Sequence, residues 1–550
     1  MKVPGPLIVA LGIAANPLQP SLVSAAPPAA EAPPASLQLA PQIKGSRPRI
    51  QPQSEPAAAT QLLPELRDLT APPALGLPTK PDQVRLSELR PLTLVQAENL
   101  AEVNNPDLKA VASQVDQSQS NLRAQIALWY PTLNLQSRAL PSYANSNSKN
   151  TYTTGTQYLS SDRWSFATTI TAQWALINPQ RVPAVAAARD QFERARYQYV
   201  VALRDLRLQV AQAYFDLQQA DDGVRIGQQS VRASLVSLRD ARARFQAGVA
   251  TKLEVLEAET QLARDQQLLA EYLASQAIAR RALAALLDLP QTVSPTSADP
   301  SRVIGIWPAS LQESIVAAYG FREELDQALL DISIANSNAN QALASRQPFL
   351  NLFTAFDVGA FQNVNPAQSS SFFSPALDRG YSYDTSAGMN FSWRLFDGGQ
   401  ARAQYREQKQ RAQEGQFRFA QRRDQIRLQV EESFYELDKN NRNIITTSKE
   451  VISAREALRL ARLRFQAGVT TQREVVDNQR DLTNAEVRYS NAITNYNKRL
   501  AELQRRTGLD QVTACTPPAL PAVKPVDGSS VPVEPTPLLP ACQAAARAAI

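Results

Sequence analysis

The 550-residue sequence contains no histidine and only two cysteines, Cys515 and Cys542. The commonest metal ligand is therefore missing, and so is the base of a Ser-His-Asp triad. No nucleophile–base pairing or phosphate-binding loop is visible either, so catalysis is not expected, and no metal or cofactor with it. Beyond the N-terminus, no apolar run approaches the roughly 18 residues that a membrane-spanning helix requires. A chain of this kind crosses a bilayer with strands or not at all. The basic excess is small, 57 Lys and Arg against 51 Asp and Glu. The two signs are interleaved along helical stretches, which is the pattern of a solvated helix surface rather than of a nucleic-acid interface.

Proline is scarce through the middle of the chain. Of its 38 prolines, 18 fall in residues 1–91 and 8 in residues 511–550. The folded unit is expected over about residues 92–510. Residues 1–25 read as a signal peptide, with Lys2, an apolar stretch over residues 7–15 and the small residues Val23, Ser24 and Ala25 before the cut; an unprocessed tail is the alternative. Residues 26–91 are expected to be an extended, disordered Pro/Ala-rich spacer and residues 511–550 a Pro-rich tail. Both cysteines lie in that tail, where pairing in an oxidising compartment and free thiols both remain open.

What the chain does have is a tandem repeat. Ala241-Arg-Ala-Arg-Phe-Gln-Ala-Gly-Val-Ala-Thr251 returns as Ala461-Arg-Leu-Arg-Phe-Gln-Ala-Gly-Val-Thr-Thr471, an offset of 220. Offsets of 219 and 217 align Trp174 with Trp393 and Pro131 with Pro348. Residues 92–310 and 311–510 therefore share one grammar: a helix, two strands, a very long helix, a Gly-Val turn and a return helix. In the long helix of the first repeat, Ala188, Phe192, Ala195, Tyr199, Ala202 and Leu206 recur at spacings of four and three, a coiled-coil seam. Leu482, Ala485, Tyr489, Ala492 and Tyr496 do the same in the second return helix.

The strand segments alternate with period two. Trp164, Phe166, Thr168, Ile170, Ala172, Trp174 and Leu176 share one face; Tyr383, Thr385, Ala387, Met389, Phe391, Trp393 and Leu395 share another. Trp164, Trp174, Tyr383 and Trp393 sit toward the ends of these runs, as in the aromatic girdles of an outer-membrane barrel, although a half-buried sheet strand has the same period. Ser/Asn/Gly-rich loops are expected over residues 142–162 and 362–382. One chain supplies four strands, whereas the smallest transmembrane barrels need eight, so several chains must close one barrel.

With these features the sequence resembles the TolC-like outer membrane efflux proteins. The likeness is carried by Asn105-Pro106-Asp107-Leu108, by Trp393-Arg-Leu-Phe-Asp-Gly-Gly399, and by Arg-Phe-Gln-Ala-Gly-Val, which occurs twice. The second repeat departs with Arg322-Glu-Glu-Leu325, and the first with Trp174-Ala-Leu-Ile-Asn-Pro-Gln180. The resemblance implies an α+β membrane protein. Its long coiled-coil α-helical barrel would join a transmembrane β-barrel completed by trimerisation, with four strands per chain. It further implies a cell outer membrane location with a large periplasmic portion and contact with outer-membrane lipid. The homotrimer would serve as a passive exit duct for efflux or type I secretion, with a periplasmic adaptor and an inner-membrane transporter of ABC or RND type. A periplasmic coiled-coil tether is the rival reading, and it leaves the strands unexplained.

At each turn, Gly248 and Gly468 stand where a helix ends in a left-handed residue. Thr251 with Glu254, and Thr471 with Glu474, fit capping boxes. Capping does not account for Glu257 and Asp477, three residues further along the same face. The resemblance places Glu474 and Asp477, with Glu254 and Glu257, at an acidic periplasmic aperture. It places Thr470, Thr471 and Gln472 at the gate, and the turn surface of Arg244, Phe245, Val249, Arg464, Phe465 and Val469 at the adaptor, unless these residues merely stop a helix. The family often carries Arg where this chain has Thr470.

Overall fold

A computed structural model of the chain describes residues 58–365, 379–509 and 512–514, all within one compact unit, Ala40–Ile550. The expected signal peptide, both cysteines, most of the tail, and the spacer before residue 58 lie outside the described residues. The first repeat runs β1 (Glu88–Leu92), α1 (Leu94–Asn104), α2 (Pro106–Ala127), β2 (Thr132–Tyr152), β3 (Gly155–Ile177), α3 (Arg181–Gln246), α4 (Lys252–Leu286), β4 (Val293–Ser297) and β5 (Gly305–Ile306). The second runs α5 (Leu311–Phe321), α6 (Glu323–Ala344), β6 (Phe349–Asn365), β7 (Arg379–Ser392), α7 (Gln400–Gln466), α8 (Gln472–Thr507) and β8 (Thr513–Ala514).

Each opening helix expected as one is two. Thr93 with Gln96, and Ser310 with Glu313, form capping boxes that start α1 and α5. Asn105 then accepts from the Leu108 N–H (3.0 Å) and Pro106 follows, so that α1 ends and α2 begins at one residue. In the second repeat Arg322 takes that place without a side-chain cap, and its guanidinium pairs with Glu324 at 2.8 Å instead. Helices α3 and α7 contain 66 and 67 residues, each about 100 Å of rod at 1.5 Å per residue. Such rods are held by packing rather than propensity.

The packing gathers where α1 and α5 cross the long helices. Leu92, Leu100, Leu203, Tyr214, Phe215, Leu217, Leu283 and Leu287 form one core; Leu325, Ile426, Val430, Ile444, Tyr496, Leu500 and Leu503 form its counterpart. Two small sheets border these cores, β1 parallel to β4 and β5 antiparallel to β8. The coiled-coil seam of α8 is closed at Ala485, Ala492 and Tyr496, whereas in α3 only Ala188 and Leu206 of the expected set are fully buried.

Residues 58–91 differ from the disordered spacer expected of them. Leu66 and Leu69 are buried in the first core. The Ala59 N–H donates to Glu102, the Ala71 N–H to Asn104, and the Asn104 side chain donates to the Leu69 carbonyl at 2.8 Å. Prolines limit regular structure here to short 3-10 turns and β1 but do not prevent burial, because side chains of α1 satisfy the backbone.

The larger sheet has the order β2-β3-β6-β7, antiparallel throughout. Residues 142–162, expected as a loop, are instead mostly strand: β2 and β3 continue in register to Tyr152 and Gly155. Polar residues on both faces disguise a ribbon as a loop. In the second expected loop, residues 362–365 and 379–382 are also strand, and residues 366–378 lie outside the described set.

Candidate functional site: the sheet face, the two turns and the seam between repeats

The period-two pattern becomes a continuous surface through the strand register. Leu133 and Leu135 lie opposite Ala172 and Ile170, Ile170 opposite Phe356, Trp174 opposite Leu352, and Leu352 opposite Met389. Leu133, Leu135, Ile170, Phe356, Met389 and Phe391 are all exposed on that face. The other face is mixed: Phe353 and Phe361 share it with polar residues, and Asp357 lies directly opposite Asp384 and accepts from the Thr169 hydroxyl. The sheet is thus apolar toward one side and more polar toward the other.

All four expected girdle residues are exposed on the apolar side. Trp164 and Trp174 are separated by ten positions, as are Tyr383 and Trp393. Ten residues of strand rise about 33 Å, or about 25 Å when tilted by about 40°, which is the height of an outer-membrane apolar band. Trp164 packs against Tyr143 with ring centroids 5.2 Å apart. Trp174 donates from Nε1 to the Trp129 carbonyl, and Trp393 to the Arg346 carbonyl, both at 3.0 Å. These equivalent bonds tie each strand end to the helix before the sheet. No helix among the described residues is long and apolar enough to cross a membrane.

At the far ends of the long helices, both turns are Schellman motifs. Val249 N–H donates to the Arg244 carbonyl (3.0 Å) and Val469 N–H to the Arg464 carbonyl (2.9 Å), with Gly248 at φ +77° and Gly468 at φ +73°. Phe245, Val249 and Val469 are exposed. Beyond this the turns diverge despite their shared sequence. At the first, Thr251 and Glu254 make the expected capping box. At the second, Thr471 makes no side-chain cap, because Glu474 is held elsewhere: Arg464 pairs with it at 2.7 Å and the Thr470 hydroxyl donates to it. Asp477 lies between Arg480 (3.3 Å) and Arg473 (3.8 Å). Glu257 is half-buried and has no ion pair among the described residues.

Arg244, the counterpart of Arg464, reaches across to the other hairpin and lies over the Phe465 ring. Phe465 itself packs on the core of Val451, Leu458, Val475 and Leu482, so it is less exposed than its motif suggests. Gln472 is 2% exposed and its Nε2 donates to Ser237 of α3. A cleft of about 690 Å³ between the hairpins is bordered by Ser237, Gln261, Phe465, Gln472 and Val475.

The Gln472–Ser237 bond is the last rung of a seam that sequence reasoning missed. Along antiparallel α3 and α8 the rungs are Asp205–Arg505, Asp216–Lys498, Gln219–Asn491, Asp222–Ser490, Ser230–Thr483 and Ser237–Gln472. The residue numbers of each pair total nearly the same value, the signature of two helices running antiparallel. Ion pairs occupy the end near the cores, and the rungs nearest the turns, Ser230–Thr483 and Ser237–Gln472, join neutral side chains. At the ionic end, Arg505 pairs with Asp205 (2.7 Å) and Glu324 (2.9 Å), and Arg204 with Glu323 (2.9 Å). Burial pushes the Glu323 carboxyl above its ordinary range. Burial acts the same way on Glu324, but the Arg322 hydrogen bond and the charges of Arg505 and Arg322 outweigh it and hold that carboxyl at about 2.

Comparison with known proteins agrees with this geometry. Residues 98–288 and 315–509 each match the model of the outer membrane efflux protein family, one match per repeat. No curated protein is matched. Among solved structures, the fold is similar to VceC, an outer membrane protein of Vibrio cholerae, at 18% identity over 76% of this chain and 96% of that one, with a TM-score of 0.59. It is also similar to the CmeC outer membrane channel of Campylobacter jejuni, at 15% identity over 80% and 94% with a TM-score of 0.58. The MtrE outer membrane channel of Neisseria gonorrhoeae follows at 18% identity over 80% and 98%, with a TM-score of 0.57. Matched by the family model in both repeats and over more than half its length, the chain belongs to the outer membrane efflux protein family.

Proposed function

We propose that three copies of this chain form an exit duct, with a twelve-stranded barrel in the outer membrane and a helical barrel in the periplasm. One observation carries the reading. The sheet ends at β2 and β7 with both edges unpaired among the described residues, while its outer face is apolar. Hydrocarbon cannot satisfy an open strand edge, so β7 of one copy must pair with β2 of the next until the sheet closes. The alternation of strand direction along β2-β3-β6-β7 permits that pairing to be antiparallel.

In this reading the polar face lines the lumen and the duct is passive. The two turns face an adaptor, with Phe245, Val249 and Val469 as its exposed contacts and the cleft beside Gln472 as its seat. The adaptor links the duct to an inner-membrane transporter of the ABC or RND type. Glu474 and Asp477, with Glu254 and Glu257 behind them, ring the periplasmic aperture and favour cations. Thr470, Thr471 and Gln472 belong to the gate, whose bonds differ from those of relatives that carry Arg at the position of Thr470. Purified oligomer should have three times the chain's mass and form discrete channels in planar bilayers. A monomer that forms none would refute the reading.

A further inference from the structure

The duplication supplies an internal control for a site at the start of α3. In the second repeat, Asp397 closes the turn into α7: its Oδ1 accepts from the Gly399 N–H and its Oδ2 from the Ala401 N–H, both at 3.0 Å. The aligned residue of the first repeat, at the offset that pairs Trp174 with Trp393, is Asn178. Its Oδ1 accepts from the Gln180 N–H at 3.1 Å, but the second atom of a carboxamide is a donor. The Val182 N–H, aligned with that of Ala401, therefore finds no acceptor among the described residues, and α3 begins without a side-chain cap.

Where the carboxylate is missing, a cation has been added. Arg181 aligns with Gln400 and is 4% exposed, with Nε buried and without a hydrogen-bond partner. No carboxylate pairs with it among the described residues; its neighbour is the Trp129 ring, 5.1 Å from its Cζ. Burial pushes the guanidinium pKa down, yet an arginine stays charged. A buried cation, a helix N–H without an acceptor and an amide donor thus fall together in residues 178–182, at the positive end of a 66-residue helix, with no carboxylate paired to the arginine among the described residues.

We propose that a phosphate group binds at this corner, held by Arg181, the Val182 N–H and Asn178 Nδ2. Trp129 and Trp174 are partly exposed beside it, at the level where tryptophans meet lipid headgroups. A phospholipid of the membrane is the nearby source, and that part rests on the duct reading above; free inorganic phosphate shares the chemistry.

The test compares the purified oligomer with Arg181→Gln, and with Asn178→Asp/Arg181→Gln, which copies the Asp397 and Gln400 of the second repeat. Native mass spectrometry counts retained phospholipid, and thermal unfolding is followed with short-chain phosphatidylglycerol, with a matched diacylglycerol, and with inorganic phosphate. Wild type should retain phospholipid and be stabilised by phosphatidylglycerol but not by the diacylglycerol. Arg181→Gln should weaken that binding about tenfold or more. The double variant should assemble normally without binding. Equal stabilisation by inorganic phosphate assigns the corner to the free anion, and this result would stand even if the chain proved not to enter membranes. Wild-type indifference to both phosphate sources, or unchanged binding in both variants, overturns the proposal.

Discussion

The Arg244 guanidinium lies 4.2 Å from the centroid of the Phe465 ring, joining the turn of the first repeat to that of the second. Arg464, its counterpart in an identical motif, instead pairs with Glu474 of its own hairpin. One sequence thus performs two tasks, linking the hairpins at one turn and fixing a carboxylate at the other. Cation–π contacts at partly exposed sites contribute about 0.5–1 kcal/mol. In a double-mutant cycle, Arg244→Ala and Phe465→Leu should therefore couple by about that amount, read from urea unfolding or from amide exchange at the turns. Strict additivity would remove the contact as a link.

The two carboxylates proposed for the aperture, Glu474 and Asp477, are not equivalent. Glu474 is engaged by Arg464 and Thr470, whereas the arginines beside Asp477 are longer contacts on exposed side chains. Exposed pairs of that kind leave most of the carboxylate's field intact. Single-channel recording should show Asp477→Asn lowering cation preference more than Glu474→Gln. The reverse order would mean that Arg464 releases Glu474 in the assembled duct.

Local signals were the legible part of this chain. The alternation of residues 164–176 and 383–392 identified the strand faces because side-chain period is a property of one strand, although the second pattern runs on to Leu395 whereas β7 ends at Ser392. Gly248 and Gly468 announced their turns because a left-handed residue has few alternatives to glycine. Non-local choices were hidden. Identical Arg-Phe-Gln-Ala-Gly-Val motifs gave no sign that Arg244 would cross to Phe465, since the deciding partner lies 221 positions away. The α3–α8 rungs, separated by 235–300 positions, were hidden for the same reason. Leu66 and Leu69 were missed because a proline-rich surround suggests a chain that cannot be buried.

The equivalent tryptophan bonds allow a test within one molecule. Trp174→Phe and Trp393→Phe keep the ring but leave the Trp129 or Arg346 carbonyl without its donor. Each should cost about 1 kcal/mol, and because the sites belong to different repeats the two losses should add. Heat-modified gel mobility of the oligomer is the readout, with the double variant dissociating at the lowest temperature. Unchanged mobility would show that these bonds do not anchor the rings.

The buried ionic cluster predicts a pH dependence with a defined sign. Glu324 is held at about 2 in the folded chain, below its ordinary 4.5, so it contributes stability above pH 4.5 that is lost as pH falls toward 2. Glu323 is raised by burial, so its effect is opposite: its stabilising contribution is complete below pH 4.5 and declines as pH rises through its folded value. Glu324→Gln should therefore flatten the acid limb of a stability–pH profile between about 4.5 and 2, while destabilising the neutral protein by leaving Arg322 and Arg505 short of a carboxylate. Glu323→Gln should leave that limb in place. The comparison separates the two neighbours because their ion pairs differ, Arg204 for Glu323 and the Arg322–Arg505 pair for Glu324. An acid limb unaffected by Glu324→Gln would mean that acid unfolding begins elsewhere than at the root of the α3–α8 seam.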